Sequence, residues 1–358
     1  MDLTTLRPSH DKRVPQMRVL LIYNPNAGDG VHASLRELVD LIHTAGHEVR
    51  CRSSKDPLIA SAFAEPADLV AVAGGDGTIV KVARLLRGRR TVIAPLPMGT
   101  ANNISTALGL TAWSLEDSIL GWNGGRTVLL DIGLARSPRG SRSFMESFGI
   151  GLLPRLMASE NRRERVGTSA NADARLAGAL TELRRTAQRF ARIAVTAELD
   201  GRDVSGRYIL FEAMNIGWVG PNVNLAPGAD PEDGLLDLVL VPEDDRALLL
   251  ECLDAREQEA AWPQALRTLR GHSLRVAPAN LDFHVDDELW RGEHSRDTEA
   301  GTVEVSLRDK VSFLVPPSPD RSRLSRKEIQ PSRPTARRSG VTPSRWGWPA
   351  GRQARSRR

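Results

Sequence analysis

The chain carries two hydrophobic rhythms, and the change from one to the other divides it. From residue 17, short apolar runs bounded by turn residues alternate with stretches whose apolar positions recur three and four apart. "MRVLLIYNP" (17–25) predicts a buried strand running into a turn. Leu35, Leu38, Val39 and Ile42 then fall at helical spacing, with Gly46 placed to stop the helix. "HEVRC" predicts a second strand, and Asp56-Pro57 a helix cap and first turn. "ADLVAVAGG" predicts a third strand, 77–87 a helix, "TVIAPLP" a fourth strand, and "GTANNISTALGL" a loop entering a helix. Strict alternation of this kind predicts an α/β fold, a parallel sheet with helices on both faces.

Near residue 127 the rhythm changes. "TVLLDIGLA", "SFMESFGIG", "RIAVTAELD", "RYILFEAMNIG", "GLLDLVLV", "SLRVAP", "LDFHVD", "TVEVSLR" and "VSFLV" are short and strand-like, and Asp200-Gly201 supplies a hairpin turn. Helical patterns interrupt them around 172–190 and 245–260. From 316 onward the chain is rich in Pro, Ser and Arg with almost no apolar periodicity, the composition of a disordered segment. The expected organisation is an α/β domain over 17–126, a mostly antiparallel β domain over 127–315 and a disordered basic tail over 316–358.

Charge sharpens that division. The net charge of +5 over 358 residues is an average of two unlike parts. Residues 320–358 hold twelve Lys/Arg against Asp320 and Glu328, a net of +10, while 1–319 hold 37 basic against 42 acidic residues, a net of −5. A mildly acidic body argues against a nucleic-acid partner. The tail's "RWGWP" sets two tryptophans among arginines, a composition that suits a lipid interface, although a solvated tail explains it as well. Two distant cysteines, Cys51 and Cys252, form neither a disulfide framework nor a metal spacing. No apolar run approaches the roughly 18–20 residues of a membrane span. The expected location is cytoplasmic, with any membrane contact peripheral, on the inner face.

Ligands of open α/β sheets sit beyond the carboxyl ends of the strands. Three such ends share one character: Asn24-Pro25-Asn26-Ala27-Gly28, Gly74-Gly75-Asp76-Gly77-Thr78, and Pro97-Met98-Gly99-Thr100-Ala101-Asn102. A helical pattern follows each, so free amides at helix starts converge on one crevice, a construction for phosphate. There is no G-x-x-x-x-G-K-[ST] of a P-loop, no H-R-D or D-F-G of a protein kinase, and no G-x-G-x-x-G after the first strand. Asp76 within a phosphate turn suggests a Mg-nucleotide, the carboxylate orienting the metal directly or through water.

Taken in order, "YNPNAG", "AGGDGT" and "PMGTANN" resemble the signatures of the diacylglycerol kinase catalytic-domain family, which includes bacterial diacylglycerol kinases and sphingosine and ceramide kinases. "FMESFGIGL", "APGADPEDGLLDLVLV" and "HVDDELW" continue the resemblance through about 17–315. It implies a three-layer α/β/α nucleotide-binding domain of the NAD kinase/diacylglycerol kinase type, followed by the β domain. It further implies that Asn24, Gly28, Gly74, Gly75, Asp76, Gly77, Thr78, Gly99, Thr100 and Asn102 contact ATP or its Mg²⁺. Asp233, helped by the backbone carbonyls of Asp230 and Leu235, would hold a structural Mg²⁺. Glu288 would take the proton of the acceptor hydroxyl, with Asp286 beside it. One residue departs from the pattern: Asp287 stands where the family usually has glycine, and Asp tolerates the left-handed region better than most residues.

A kinase of this kind takes a lipid hydroxyl at a membrane surface. "LPRLMASENRRERVG" (152–167) and the helix near 172–190, with arginines at 175, 184, 185 and 189, are candidates to line the apolar mouth. Ser53, ending the second strand, is a candidate for the adenine or ribose side, while His272 and His284 read as structural or surface residues. A homodimer is compatible with all of this. Two other readings stay open: a NAD-kinase-like enzyme of a soluble alcohol, and a catalytically inactive nucleotide- or lipid-binding regulator. The acceptor itself is not written in the sequence.

Overall fold

Alternate residues of the first strand are buried on opposite sides. Val19 and Leu21 pack with Leu38 and Ile42, while Leu20 and Ile22 pack with Ile79, Val82 and Ala83. A strand apolar on both faces needs a helix layer on each side. The computed structural model describes residues 16–27, 33–138, 140–163 (side chains to 158), 171–258, 266–277, 281–290 and 301–317. Gly28 and the tail from 318 lie outside the described residues, as do Arg165 and the side chains of Arg162 and Arg163 in "NRRERVG".

The first part builds β1 (Arg18–Tyr23), α1 (Leu35–Thr44), β2 (Glu48–Ser53), β3 (Leu69–Gly74), α2 (Asp76–Leu86), β4 (Val92–Pro97), α3 (Asn103–Ala107) and α4 (Leu115–Leu120). The remainder opens with β5 (Arg126–Ser137), β6 (Gly140–Phe144), β7 (Ser147–Gly151), α5 (Leu152–Arg163), α6 (Ala172–Arg189) and β8 (Ile193–Leu199). Then come β9 (Arg202–Asp203), β10 (Gly206–Met214), β11 (Trp218–Val219), β12 (Val223–Asn224), β13 (Leu236–Pro242) and α7 (Arg246–Glu257). It closes with β14 (Thr268–Gly271), β15 (Ser273–Ala277), β16 (Phe283–Val285), β17 (Glu288–Trp290) and β18 (Val303–Val315).

Strands β2, β1, β3 and β4 pair in parallel, as the alternation demands. Ser34 and Glu37 form a reciprocal capping box that starts α1, and Gly46 (φ +87°) ends it. Asp200 (φ +51°) and Gly201 (φ +76°) make the predicted hairpin turn between β8 and β9. The helix expected at Asp56-Pro57 is only a 3₁₀ turn, Ile59–Phe63, after the Asp56 carboxylate accepts the Leu58 N–H at 2.8 Å. Helix α5, over the segment singled out as a candidate lining of the mouth, has Pro154 inside it. That proline falls in the first turn, where the missing N–H costs nothing.

Two segments connect differently from their pattern. "SFMESFGIG" is not one strand: it breaks between β6 and β7 at Met145-Glu146. "TVEVSLR" and "VSFLV" instead merge into β18, with a register shift between Leu307 and Asp309. Strand β18 runs antiparallel along β5 and meets β4 in parallel at Phe313↔Ile93. The parallel sheet therefore continues without a gap into β18, β15, β8, β10, β7, β16 and β17. Leu130, Ile132, Val311 and Phe313 share one buried cluster with Ile22, Val72 and Ile93, so the boundary near 127 is bridged by core.

The turn before β13 differs from the expected metal centre. Asp233 Oδ1 accepts the Leu235 N–H (2.9 Å), and its other oxygen pairs with the Arg270 guanidinium. Arg270 also lies 3.4 Å from Oδ1 of buried Asp237. The Asp230 carbonyl accepts the Asp233 N–H at 3.3 Å. Lys310 Nζ donates to the Glu232 carbonyl (2.7 Å) and pairs with Asp131 (3.1 Å), whose other oxygen accepts the Gly234 N–H. Mg²⁺ takes several oxygens at close to octahedral angles, and the Asp233 and Asp131 carboxylates here already have protein partners. In this arrangement Arg270 and Lys310 are the cations of the turn.

Burial pushes the Asp237 carboxyl above its ordinary value, Arg270 holds it down, and Asp233 and Asp230 add to the rise. A raised carboxyl binds its proton more readily folded than unfolded, so its contribution to stability falls as pH rises. Arg270→Gln should therefore cost about 1–3 kcal/mol at neutral pH, the penalty of a buried polar group left without its partner. Denaturation across pH should show that loss shrinking as pH falls toward the carboxylate range. A chelator tests the same turn for a metal: a chelator-induced fall in the wild-type Tm places Mg²⁺ there, and an unchanged Tm leaves Arg270 and Lys310 as its cations.

Candidate functional site

Two glycine turns meet backbone to backbone at the ends of β3 and β4. A Cβ on Gly99 would stand 2.4 Å from Gly75 Cα, and one on Gly75 would stand 2.9 Å from Gly99 Cα. These glycines are there because the two chains touch. Gly74, capping β3, has Thr78 pressed on it, where a Cβ would come within 2.8 Å of the threonine side chain. Asn102 (φ +54°) closes the second turn on itself: its Oδ1 accepts the Gly99 N–H (2.8 Å) and its Nδ2 donates to the Gly99 carbonyl (3.0 Å). Asn24 does the same for the first turn, its Oδ1 accepting the Asn26 N–H at 3.1 Å.

These turns wall a polar cavity of about 400 Å³. Of the residues expected to contact nucleotide, Asn24, Gly75, Gly77, Thr78, Gly99 and Thr100 line it. Gly74 and Asn102 support it from behind, and Asp76 faces elsewhere. Helix α2 has no side-chain cap at Gly75, and with the Thr78 N–H donating to the Gly75 carbonyl (2.9 Å) it is the Gly77 amide at the helix start that faces the cavity for an anion. Three cations border the space: Lys55, Lys81, whose Nζ donates to the Ser54 carbonyl (2.6 Å), and Arg175, which donates to Thr100 Oγ1 (3.2 Å). Lys81 was legible from spacing, since it follows Gly77 and Thr78 by four and three residues on one helix face. On the β2 side the lining residues are Ser54 and Lys55, while Ser53 turns its hydroxyl to the Lys55 N–H.

A second cavity of about 330 Å³ adjoins the first, sharing Gly77, Thr100 and Asp287 with it. Its walls are apolar: Leu153, Leu156 and Met157 from α5, and Leu176 and Ala179 from α6. The two segments singled out as a mouth do line it, with their aliphatic faces. Arg175 turns instead to the polar cavity, and Arg184 and Arg185 pair with Asp254 and Glu182. The floor is carboxylate: Asp76, Glu146, Asp286 and Asp287.

Each floor carboxylate is perturbed by burial. Asp76 accepts the Asn103 and Ile104 N–H groups (both 2.9 Å) at the start of α3, yet burial, with Asp287 adding, still pushes it up to about 6. Glu146, which accepts from Asn103 Nδ2 (2.9 Å), is raised well above its ordinary value by burial and then by Asp76 and Asp286. Asp286 is pushed up to about 7, again by burial, against hydrogen bonds from the Met145 and Glu146 amides and the charge of Arg84. Asp287 is raised by burial and by Glu288. A carboxylate-rich junction of this kind presents the hard oxygens that suit Mg²⁺ held by one or two side chains and by phosphates.

Within the "DDE" triplet the three carboxylates have separate surroundings. Glu288 lies between Arg84 (3.3 Å) and Arg142 (3.1 Å), with its side chain 46% exposed, and lines neither cavity. Asp286 is sunk into the backbone amides of the β6–β7 break. Asp287 is the member that borders both cavities, and a Cβ on Gly77 would come within 2.9 Å of its Oδ2. The residue read from the sequence as a departure thus occupies the junction.

The Gly75–Gly99 contact makes a direct prediction. Gly99→Ala should force the turns apart and raise the KM for nucleotide by about tenfold or more, with a stability loss of about 1–3 kcal/mol from overpacking. Nucleotide titration and denaturation of the purified variant check both effects.

Comparison with known proteins agrees with this architecture. Residues 18–135 match the diacylglycerol kinase catalytic domain, and residues 161–298 match the YegS C-terminal NAD kinase beta sandwich-like domain. A diacylglycerol kinase of Mycobacterium tuberculosis (strain ATCC 25618 / H37Rv) is 25% identical over 290 residues, 76% of this chain and 89% of the relative. A protein of Xanthomonas oryzae pv. oryzae (strain MAFF 311018) named "Probable lipid kinase YegS-like" is 28% identical over 295 residues, 77% of this chain and 91% of the relative. In fold, a crystal structure of a diacylglycerol kinase from Bacillus anthracis str. Sterne superposes with a TM-score of 0.57 at 18% identity, covering 85% of this chain and 98% of that one. Among the described residues no helix is long and apolar enough to cross a membrane. With both domains matched in order and the glycine turns in place, residues 18–135 form a diacylglycerol kinase catalytic domain, and the chain as a whole is similar to the diacylglycerol and lipid kinases that carry one.

Proposed function

We propose that this protein is an ATP- and Mg²⁺-dependent lipid kinase that moves the γ-phosphoryl group to a lipid hydroxyl. The observation that carries the reading is the pair of cavities meeting at Asp287, one polar and cation-bordered, the other apolar-walled over carboxylates. The names of the relatives support the same reaction class.

Phosphoryl transfer depends on positioning and charge neutralisation. The Gly77 amide at the start of α2, Thr78 and Lys81 hold phosphate oxygens in the polar cavity. Bound Mg²⁺ supplies charge neutralisation on the phosphates, and Asp76 and its neighbours are the residues that would hold it at the junction. The aliphatic faces of α5 and α6 hold the chains of the acceptor and exclude water. Asp287 orients the acceptor hydroxyl and takes its proton. Glu288, the residue to which the family resemblance assigns that role, acts here on Arg84 and Arg142.

Labelled ATP with a total lipid extract tests the reaction: a labelled lipid is expected. Label on NAD in the absence of lipid would favour the NAD-kinase-like reading, and nucleotide binding without any transfer would favour an inactive binding protein. Asp287→Asn should lower kcat by about 10²–10⁴-fold, with nucleotide binding kept, and Glu288→Gln should do less. The reverse order would return the proton to Glu288.

A further inference from the structure

Beneath the Asp286-Asp287 turn, Glu212 and His284 meet with both side chains 0% exposed. His284 Nε2 lies 2.6 Å from Glu212 Oε1, and Nδ1 lies 2.8 Å from the Asp286 carbonyl oxygen. A carbonyl only accepts, so Nδ1 carries a hydrogen. Burial lowers the His284 imidazole and the adjacent Glu212 raises it, and the net effect is a rise above its ordinary value. The contact is an ion-pair approach: neither Glu212 oxygen nor His284 Nε2 has a hydrogen-bond partner of good geometry among the described residues, so each has only the other.

The strands carrying these residues are not neighbours. Glu212 on β10 and His284 on β16 are both registered opposite Gly149 of β7, one from each side. A Cβ on Gly149 would stand 1.8 Å from Glu212 Oε2. The glycine leaves the gap through which the carboxylate crosses the middle strand to the imidazole.

Asp286 needs outside support. Its φ of +53° is left-handed, which costs an L-residue energy unless its surroundings impose it. Its carboxylate is held by the Met145 (3.0 Å) and Glu146 (2.8 Å) amides, and its N–H donates to the Ser147 carbonyl (2.9 Å). The carbonyl is the remaining polar group, and His284 holds it. We propose that Glu212 and His284 are positioning residues for phosphoryl transfer, a buried pair reaching across Gly149 that fixes the Asp286 carbonyl and so aims Asp287 at the junction of the cavities. The proposal rests on the kinase reading for its kinetic consequence only.

Two substitutions of one residue separate positioning from bulk support. Asn places its Nδ2 near the position of His Nδ1, whereas Gln places its Nε2 near that of His Nε2. His284→Gln should therefore lose the Asp286 carbonyl and lower kcat about tenfold or more, with the KM for ATP within about twofold. The double variant His284→Asn/Glu212→Gln keeps the carbonyl bond without stranding a carboxylate, and should hold kcat within about threefold of wild type. Hydrogen exchange at the Met145 and Glu146 amides supplies a readout that needs no activity: faster in His284→Gln, unchanged in the double variant. Equal behaviour of the two proteins, or a folded His284→Gln with wild-type kcat and exchange, overturns the proposal. If His284→Gln does not fold, Glu212→Leu decides by the same readouts, faster exchange supporting the proposal and wild-type exchange overturning it. A wild-type protein that phosphorylates nothing sinks the kinase reading alone, and exchange still decides the positioning.

Discussion

The contact between Gly75 and Gly99 sets the geometry of everything around it. Two strand ends can approach to this distance only if neither carries a Cβ. Once they touch, the start of α2 and the start of α3 are brought to one side of the sheet. Asp76 then reaches across from α2 to cap α3 through the Asn103 and Ile104 amides. The polar cavity is what remains beneath these turns, and its dimensions follow from backbone packing before any ligand enters.

Around that contact the chain gathers more negative charge than its interior would ordinarily hold. Burial disfavours the ionised form of each carboxyl, and their proximity adds to the effect. The protein manages the excess in two ways. At the floor of the second cavity, Asp286 and Asp76 are given backbone amides, and Arg84 lies 3.9 Å from Asp286. Behind it, Glu212 is given an imidazole, that of His284. The turn before β13 uses a third solution, guanidinium and ammonium groups set against its carboxylates. In all three places an acid sits within or beside an apolar run: Glu146 in "FMESF", Glu212 in "ILFEAM" and Asp237 in "LLDLVLV".

Those runs also mark the limit of what sequence alone disclosed. The strands, the parallel sheet and the three glycine turns were legible, because periodicity and turn chemistry are local. So was the family resemblance, which rests on the order of motifs. The reason for Gly75 and Gly99 was not, since a glycine freed for phosphate and one freed for a neighbouring backbone look alike in one dimension. Asp287 read as a departure in a hairpin turn, and only the placement of β16 and β17 beside β7 brings it to the cavities. His284 read as a lone strand histidine because its partner is 72 positions away on a strand that does not touch its own.

Strand β18 has a consequence for how the molecule comes into being. Phe313 reaches Ile93 from some 220 positions later in the chain, and the same strand zips along the whole of β5. Contacts of such separation close late, after the entropy of a very long loop has been overcome. During synthesis the free edge of β4 waits, unpaired and apolar, until β18 has left the ribosome. Such an edge is a site for mispairing between nascent chains. The nucleotide turns are complete early in the sequence, but the sheet that holds them is finished by its final strand.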